Sequence, residues 1–290
     1  MRRKSLTVLC AAAMFLASPA SGAELRPGDI IVADANRFIA DAPALVTPGA
    51  VIKINPENGN QELISEGGNL VTPIGIALHP DGGILVVDRD IPGVVRVEPF
   101  PPHAQTVISS GGLLVSPAGI AVNQATGEII VADPISGLLR LTASGPEVIA
   151  SVPGPLGGFP EFHGVAIEPN GSFIVAALTA RAILRITPVA SGQPIVETVS
   201  AGGLLDAGPF GVALDRDGTI IVGAGFFVGP NSPPPSGLPA VIRIDPATGA
   251  QTLVSPIPLG SEGFVNPYWV AVEADGSIIV SDQEAFGPPD

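Results

Sequence analysis

Five stretches of the chain can be laid beneath one another: PIGIALHPDGGILVVD (73–88), PAGIAVNQATGEIIVAD (117–133), EFHGVAIEPNGSFIVAA (161–177), PFGVALDRDGTIIVGA (209–224) and PYWVAVEADGSIIVSD (267–282). Each opens with a short apolar strand, turns at a glycine, and runs into a second strand rich in Ile and Val. The turn dipeptides Asp81-Gly82, Asn170-Gly171, Asp217-Gly218 and Asp275-Gly276 tolerate the positive φ that a tight hairpin needs. A third strand follows in VIKINP (51–56), VVRVEP (94–99), LLRLTA (138–143), AILRITP (182–188) and VIRIDP (241–246). It alternates apolar residues with a single Lys or Arg, as a strand with one packed and one wet face does. A fourth reads QELIS (61–65), QTVIS (105–109), PEVIAS (146–151), VETVS (196–200) and QTLVS (251–255).

The glycine of the first strand recurs at Gly75, Gly119, Gly164 and Gly211, with Trp269 in the fifth place. Four short antiparallel strands repeating at about 45 residues are the signature of a β-propeller blade. One such sheet cannot bury both faces, whereas a ring of them can. The second strand occurs once more at GDIIVADA (28–35). The expected fold is therefore all-β, a six-bladed propeller whose first blade lacks its innermost strand and whose last stops after two. Either the ring is open at that seam, or the chain is shortened relative to a complete relative.

Composition agrees with an all-β domain. Of 290 residues, 36 are Gly and 32 Pro, and 46% are hydrophobic. Gly without a three-residue period excludes collagen, and the apolar share excludes a disordered chain. With 13 basic against 27 acidic residues the formal charge is −14. That removes nucleic acid from the expected partners, since no basic face exists to displace phosphate counterions. It also disfavours anionic membrane surfaces.

Residues 1–23 read as a secretory signal peptide: Arg2, Arg3 and Lys4 precede an apolar stretch over 6–16, and Ser21-Gly22-Ala23 offers small residues before a cleavage site near Ala23. The stretch is too short to span a bilayer, and no later segment reaches that length uninterrupted, so membrane insertion is not expected. The only Cys, Cys10, lies within the apolar stretch. The expectation is a secreted or periplasmic monomer consisting of one propeller over 24–290, free of disulfides.

The repeat resembles NHL-repeat propellers and, more loosely, the gluconolactonase-like (senescence marker protein) superfamily. The likeness rests on P-x-G-[IV]-A followed by G-x-[IL]-x-V-x-D and [VL]-x-R, and it covers most of 28–284. It implies the propeller and leaves activity open, because the fold hosts many unrelated functions. Gluconolactonase-like enzymes carry one axial divalent cation on Glu, Asn and Asp side chains. This chain lacks their early Glu-Gly-Pro segment, and Asn266 is the nearest match to their inner-strand Asn.

The end of strand two and the start of strand one share a rim. That rim gathers Asp34, Asp88, Asp133 and Asp282 with Ile74, Ala118, His163, Phe210 and Tyr268. Asp88, Asp133, Asn266 and Asp282 form the candidate metal set, whose oxygen ligands would select Ca²⁺ or Mg²⁺. The competing use of these carboxylates is to cap loop N–H groups. His163 breaks the repeat, with Glu161 two residues earlier, and is the candidate general base. Glu161, His163, Phe210, Tyr268 and Trp269 form the candidate ligand-binding set. The long connections 36–49 and 225–240, with the tail 284–290, should rise from the same rim. Two functions remain open: a propeller binding a peptide, glycan or small molecule at that rim without a cofactor, and a divalent-metal lactonase or esterase.

Overall fold

The structure, a computed structural model, describes residues 10–13, 25–26, 28–35, 48–151, 161–225, 237–254 and 266–282. The first sheet comprises β1 (Cys10–Ala13), β2 (Ile30–Asp34), β3 (Ala50–Ile54) and β4 (Gln61–Glu66). The second comprises β5 (Pro73–Leu78), β6 (Ile84–Asp88), β7 (Gly93–Val97) and β8 (Gln105–Ser110), and the third β9 (Gly119–Val122), β10 (Ile129–Asp133), β11 (Gly137–Thr142) and β12 (Gly145–Ala150). Next come β13 (Phe162–Ile167), β14 (Phe173–Ala177), β15 (Ala182–Thr187) and β16 (Ile195–Ala201), then β17 (Pro209–Leu214), β18 (Ile220–Ala224), β19 (Ala240–Ile244) and β20 (Gln251–Leu253). A last pair is β21 (Pro267–Val272) and β22 (Ile278–Asp282). All pairings are antiparallel meanders, giving five four-stranded sheets and one two-stranded sheet.

The fold is thus an all-β propeller with five four-stranded blades, not the six-bladed ring, incomplete in its first and last blades, that the repeat predicted. The inner strands β5, β9, β13, β17 and β21 neighbour one another in order, and β1 lies between β21 and β5. The two-stranded last sheet follows the sequence reading, but the first sheet does not. Its innermost place is held by Cys10–Ala13, paired Ala12↔Ile31 and Ala13↔Ile30. This segment falls in the apolar stretch read as a leader. The ambiguity has a physical source: a run of small apolar residues suits a leader core, and it equally suits an inner strand with little room around it.

Hairpin geometry explains the repeated Asp-Gly turns. Gly82 sits at φ 93°, and the Asp81 carboxylate accepts the N–H of Gly83 at 2.9 Å. The equivalent bonds join Asp217 to Thr219 and Asp275 to Ser277. Second strands are the most buried, β6, β14 and β18 throughout, because alternate residues serve different sheet interfaces. Ile84 and Val86 pack with Ile31 and Val51 of the first sheet. Leu85 and Val87 pack with Val131 and Leu139 of the third. Each such aliphatic side chain contributes roughly 1.5–3 kcal/mol by leaving water. The lone Arg of the third strand is tied to the hairpin end of its own sheet: Arg96 to Asp81 at 3.1 Å, Arg185 to Glu168 at 2.8 Å, Arg243 to Asp215 at 3.1 Å, and Arg140 to Glu128.

The inner-strand glycines fix how closely the sheets approach. A Cβ on Gly75 would lie 2.5 Å from the Ala118 carbonyl oxygen, and one on Gly211 would lie 2.6 Å from the Cα of Trp269. On Gly119 it would collide with the His163 carbonyl, and on Gly164 with that of Phe210. Each glycine therefore bears on the backbone of the next inner strand. Trp269, fifth in this series, is 7% exposed and packs with Ile31, Ile74 and Ile76, so its ring fills the seam between the last sheet and the first two. Gly119→Ala is expected to lower unfolding free energy by about 1–3 kcal/mol through overpacking. Trp269→Ala should lower it by about 3–5 kcal/mol through a cavity at the seam. Urea denaturation followed by circular dichroism reads both.

Candidate functional site

The rim where first strands begin is shaped by a recurring irregularity. Pairing slips between Pro73 and Gly75, between Phe162 and Val165, between Pro209 and Val212, and between Pro267 and Trp269. Each slip inserts a residue into the inner strand, and such bulges re-aim side chains. The residues concerned are Ile74, His163 with Gly164, Phe210 with Gly211, and Tyr268. Three of the expected ligand-binding residues are brought together in this way. The His163 and Phe210 rings lie 5.0 Å apart at 71°, and Phe210 and Tyr268 lie 4.3 Å apart at 65°. Both are edge-to-face contacts of the favourable kind.

The arc has polar ends. Asn266 Nδ2 donates to the Tyr268 hydroxyl at 3.1 Å, and the Asn266 N–H donates to Asp282 Oδ1 at 2.5 Å. Burial raises the Tyr268 pKa against that hydrogen bond, so the phenol stays protonated. At the other end, burial and then the positive charge of Arg89 push the His163 pKa down to about 4. The imidazole is therefore neutral at pH 7, with one nitrogen a donor and one an acceptor. Among the described residues the His163 imidazole has no hydrogen-bond partner. Glu161 stands just before β13 at φ 49°, its carboxyl pKa raised by burial.

The remaining candidates fall elsewhere. Asp88 is fully buried and its two oxygens accept the N–H groups of Val71, Thr72, Asp90 and Ile91 at 2.7–3.1 Å. Asp133 does the same for Val115, Ser116, Ile135 and Ser136 at 2.8–3.0 Å. Both carboxylates are occupied in holding the loops that flank the end of the second strand. Among the described residues no three His, Cys, Asp or Glu side chains gather as metal ligands. Two of the four candidate metal ligands, Asp88 and Asp133, are thus committed to backbone N–H groups. Trp269 lies in the seam rather than with the aromatic arc. The connection residues 36–47 and 226–236 and the tail 283–290 lie outside the described residues.

Arg89 was missed from sequence, although a signal existed. The residue following the second strand is Ala35, Pro134, Leu178, Gly225 or Gln283 in the other sheets, and Arg89 alone is charged. Its guanidinium is about half exposed and lies 3.7 Å from Asp90, whose other oxygen accepts the Thr72 hydroxyl at 2.6 Å. Below the glycines, a cavity of about 510 Å³ runs between the inner strands to the hairpin rim at His79, Pro80 and Gln124, past Leu78, Ile167 and Trp269. The aromatic arc thus sits at the opposite end of the axis from this cavity.

No protein-family model matches the sequence, and no curated protein matches it. Solved structures do match the fold. A gluconolactonase from Xanthomonas campestris superposes with a TM-score of 0.61 at 13% identity, over 95% of each chain. Virginiamycin B lyase from Staphylococcus aureus gives 0.60 at 13% identity, over 96% of this chain and 80% of that one. A chain of the nidogen/laminin complex gives 0.60 at 16% identity, over 81% of this chain and 83% of that one. These similarities establish the propeller fold.

The depressed His163 pKa carries a sign. Free histidine titrates near 6.5 and the folded residue near 4, so the unfolded state binds the proton first. This group's contribution to stability is full above pH 6.5 and is lost as pH falls toward 4, by about 3 kcal/mol in all. In urea melts across that window, His163→Phe should show a shallower fall in stability with decreasing pH than the parent. Equal slopes would mean that the imidazole is solvated.

Proposed function

We propose that this chain is a secreted binding propeller. It takes a small molecule with an apolar or aromatic body and an acidic group at the rim formed by His163, Phe210 and Tyr268. The observation carrying this reading is the neutral imidazole of His163, which lacks a hydrogen-bond partner among the described residues and sits edge-on to Phe210. A ligand's apolar part would lie on the arc, His163 would exchange one hydrogen bond with it, and Arg89 would meet its acidic group. In a chain of net charge −14, an exposed guanidinium at this rim is a selective feature. Export through the segment 1–23 is part of the same reading.

The second reading is a divalent-metal lactonase, drawing on the fold shared with the Xanthomonas campestris gluconolactonase. Against it stands the commitment of Asp88 and Asp133 to backbone N–H groups. A panel of small aromatic and aliphatic carboxylates, with glycans and peptides as further arms, would be screened by thermal shift and followed by calorimetry. We expect a carboxylate to bind saturably and Arg89→Gln or His163→Ala to weaken it at least about tenfold, ~1.4 kcal/mol, with no effect of EDTA. Stoichiometric bound Ca²⁺ with EDTA-sensitive lactone turnover would replace this reading by the second. When the chain is expressed in a secreting host, the N-terminus of the exported protein is expected to be Glu24, so that the exported propeller lacks β1 and β2 becomes the innermost strand of its first sheet; recovery of uncleaved protein in the cytoplasm would contradict export.

A further inference from the structure

Two glutamines do the same work at the start of a fourth strand. Gln105 Oε1 accepts the Asn69 N–H at 2.7 Å, and its Nε2 donates to Ser65 Oγ at 2.9 Å and to the Gly67 carbonyl at 3.0 Å. Gln251 Oε1 accepts the Leu204 N–H at 2.7 Å, and its Nε2 donates to Ser200 Oγ and the Gly202 carbonyl, both at 2.9 Å. In each case one amide fastens the outer strand of its own sheet to a Ser-x-Gly-Gly end of the preceding sheet. The outer strand of the second sheet is thereby linked to the first sheet, and that of the fifth to the fourth.

Gln61 stands in the same place in the first sheet, in QELIS beside QTVIS and QTLVS. It is exposed and has no side-chain hydrogen-bond partner among the described residues. The sheet that precedes it around the ring is the two-stranded one. Among the described residues β22 is the outer edge of that sheet, and Ile278, Ile279 and Val280 are half-buried, whereas the equivalent strands β6, β14 and β18 are buried throughout. In the five other sheets the strand equivalent to β22 is paired on that side along five positions. A polar recess of about 460 Å³, lined by Arg26, Asp29, Lys53, Asn60, Gln61 and Glu62, lies around the start of β4.

We propose that the open edge of β22 and the amide of Gln61 form one acceptor site for a two-stranded β-hairpin. The inner strand of that hairpin pairs antiparallel with β22, and its outer strand ends in Ser-x-Gly-Gly held by Gln61. The partner chemistry is specific: an alternating β-branched strand against the apolar edge, then a serine hydroxyl and a glycine carbonyl for Nε2 and a backbone N–H for Oε1. Strand addition of this kind draws affinity from main-chain hydrogen bonds and selectivity from the side-chain contact. An edge-to-edge pair of identical copies would cover β22 and leave Gln61 unused, so the hairpin accounts for both observations.

The test appends a second copy of residues 50–69, which include Ser65 and Gly67, behind Asp290 of the full chain through a glycine-serine linker. The appended hairpin is expected to raise Tm by about 5 °C or more and to lower binding of an apolar dye. Gln61→Ala should remove a large part of that rise while leaving the Tm of the parent chain unchanged. The free peptide 50–69, carrying a fluorophore, should bind the parent saturably and bind Gln61→Ala more weakly. An unchanged Tm on appending the hairpin would overturn the proposal. So would an equal effect of Gln61→Ala in both proteins, or a parent dimer in sedimentation that Val280→Lys dissociates.

Discussion

The contact on which this structure depends is a glycine α-carbon resting against the backbone of the neighbouring inner strand. Gly75, Gly119, Gly164 and Gly211 each occupy a place where a Cβ would strike the next strand's main chain. That approach sets how tightly the sheets converge on the axis. It explains the small side chains along the inner strands, and it leaves an axial space between them. Interiors packed this densely respond to a single methyl group. Trp269 in the fifth place marks where the regularity ends and a large side chain fills the wider gap.

Close convergence also decides where chemistry can reside. At the ends of the second strands, Asp88 and Asp133 spend both oxygens on loop N–H groups, which keeps the rim in shape and withdraws those carboxylates from ligand duty. At the bulged starts of the first strands the side chains meet one another instead, His163 against Phe210 and Phe210 against Tyr268. Four sheets share the bulge, yet three adjacent ones fill it with His163, Phe210 and Tyr268, while the second sheet uses Ile74. One common backbone device thus yields an asymmetric arc, and Arg89 adds charge at the same rim.

Much of the architecture was legible because a hairpin repeat is written locally. Alternation, turn dipeptides and the recurring inner-strand glycine identify strands two residues at a time. The grouping of His163, Phe210 and Tyr268 was also legible, since each occupies the same place in the unit. Other features depend on contacts that residue type does not encode. The repeated rim aspartates could be read as metal ligands or as loop caps, and only the positions of the surrounding N–H groups decide. Trp269 at a glycine place could face the axis or the seam, depending on how far away the first sheet lies. The first sheet's inner strand was overlooked because Cys10–Ala13 carries no turn signal and sits inside a stretch that reads as a leader. The bulges have no sequence mark, and Arg89 was visible only by comparing one position across all units.

The convergence of the inner strands at the rim is most directly measured by aromatic nuclear Overhauser effects. With three His and one Tyr in the chain, the relevant ring protons are resolvable after selective labelling. The account predicts cross-peaks from the His163 imidazole protons to the Phe210 ring and from that ring to Tyr268. Resolved resonances for all three rings with no cross-peak between them would show that the sheets do not converge as described.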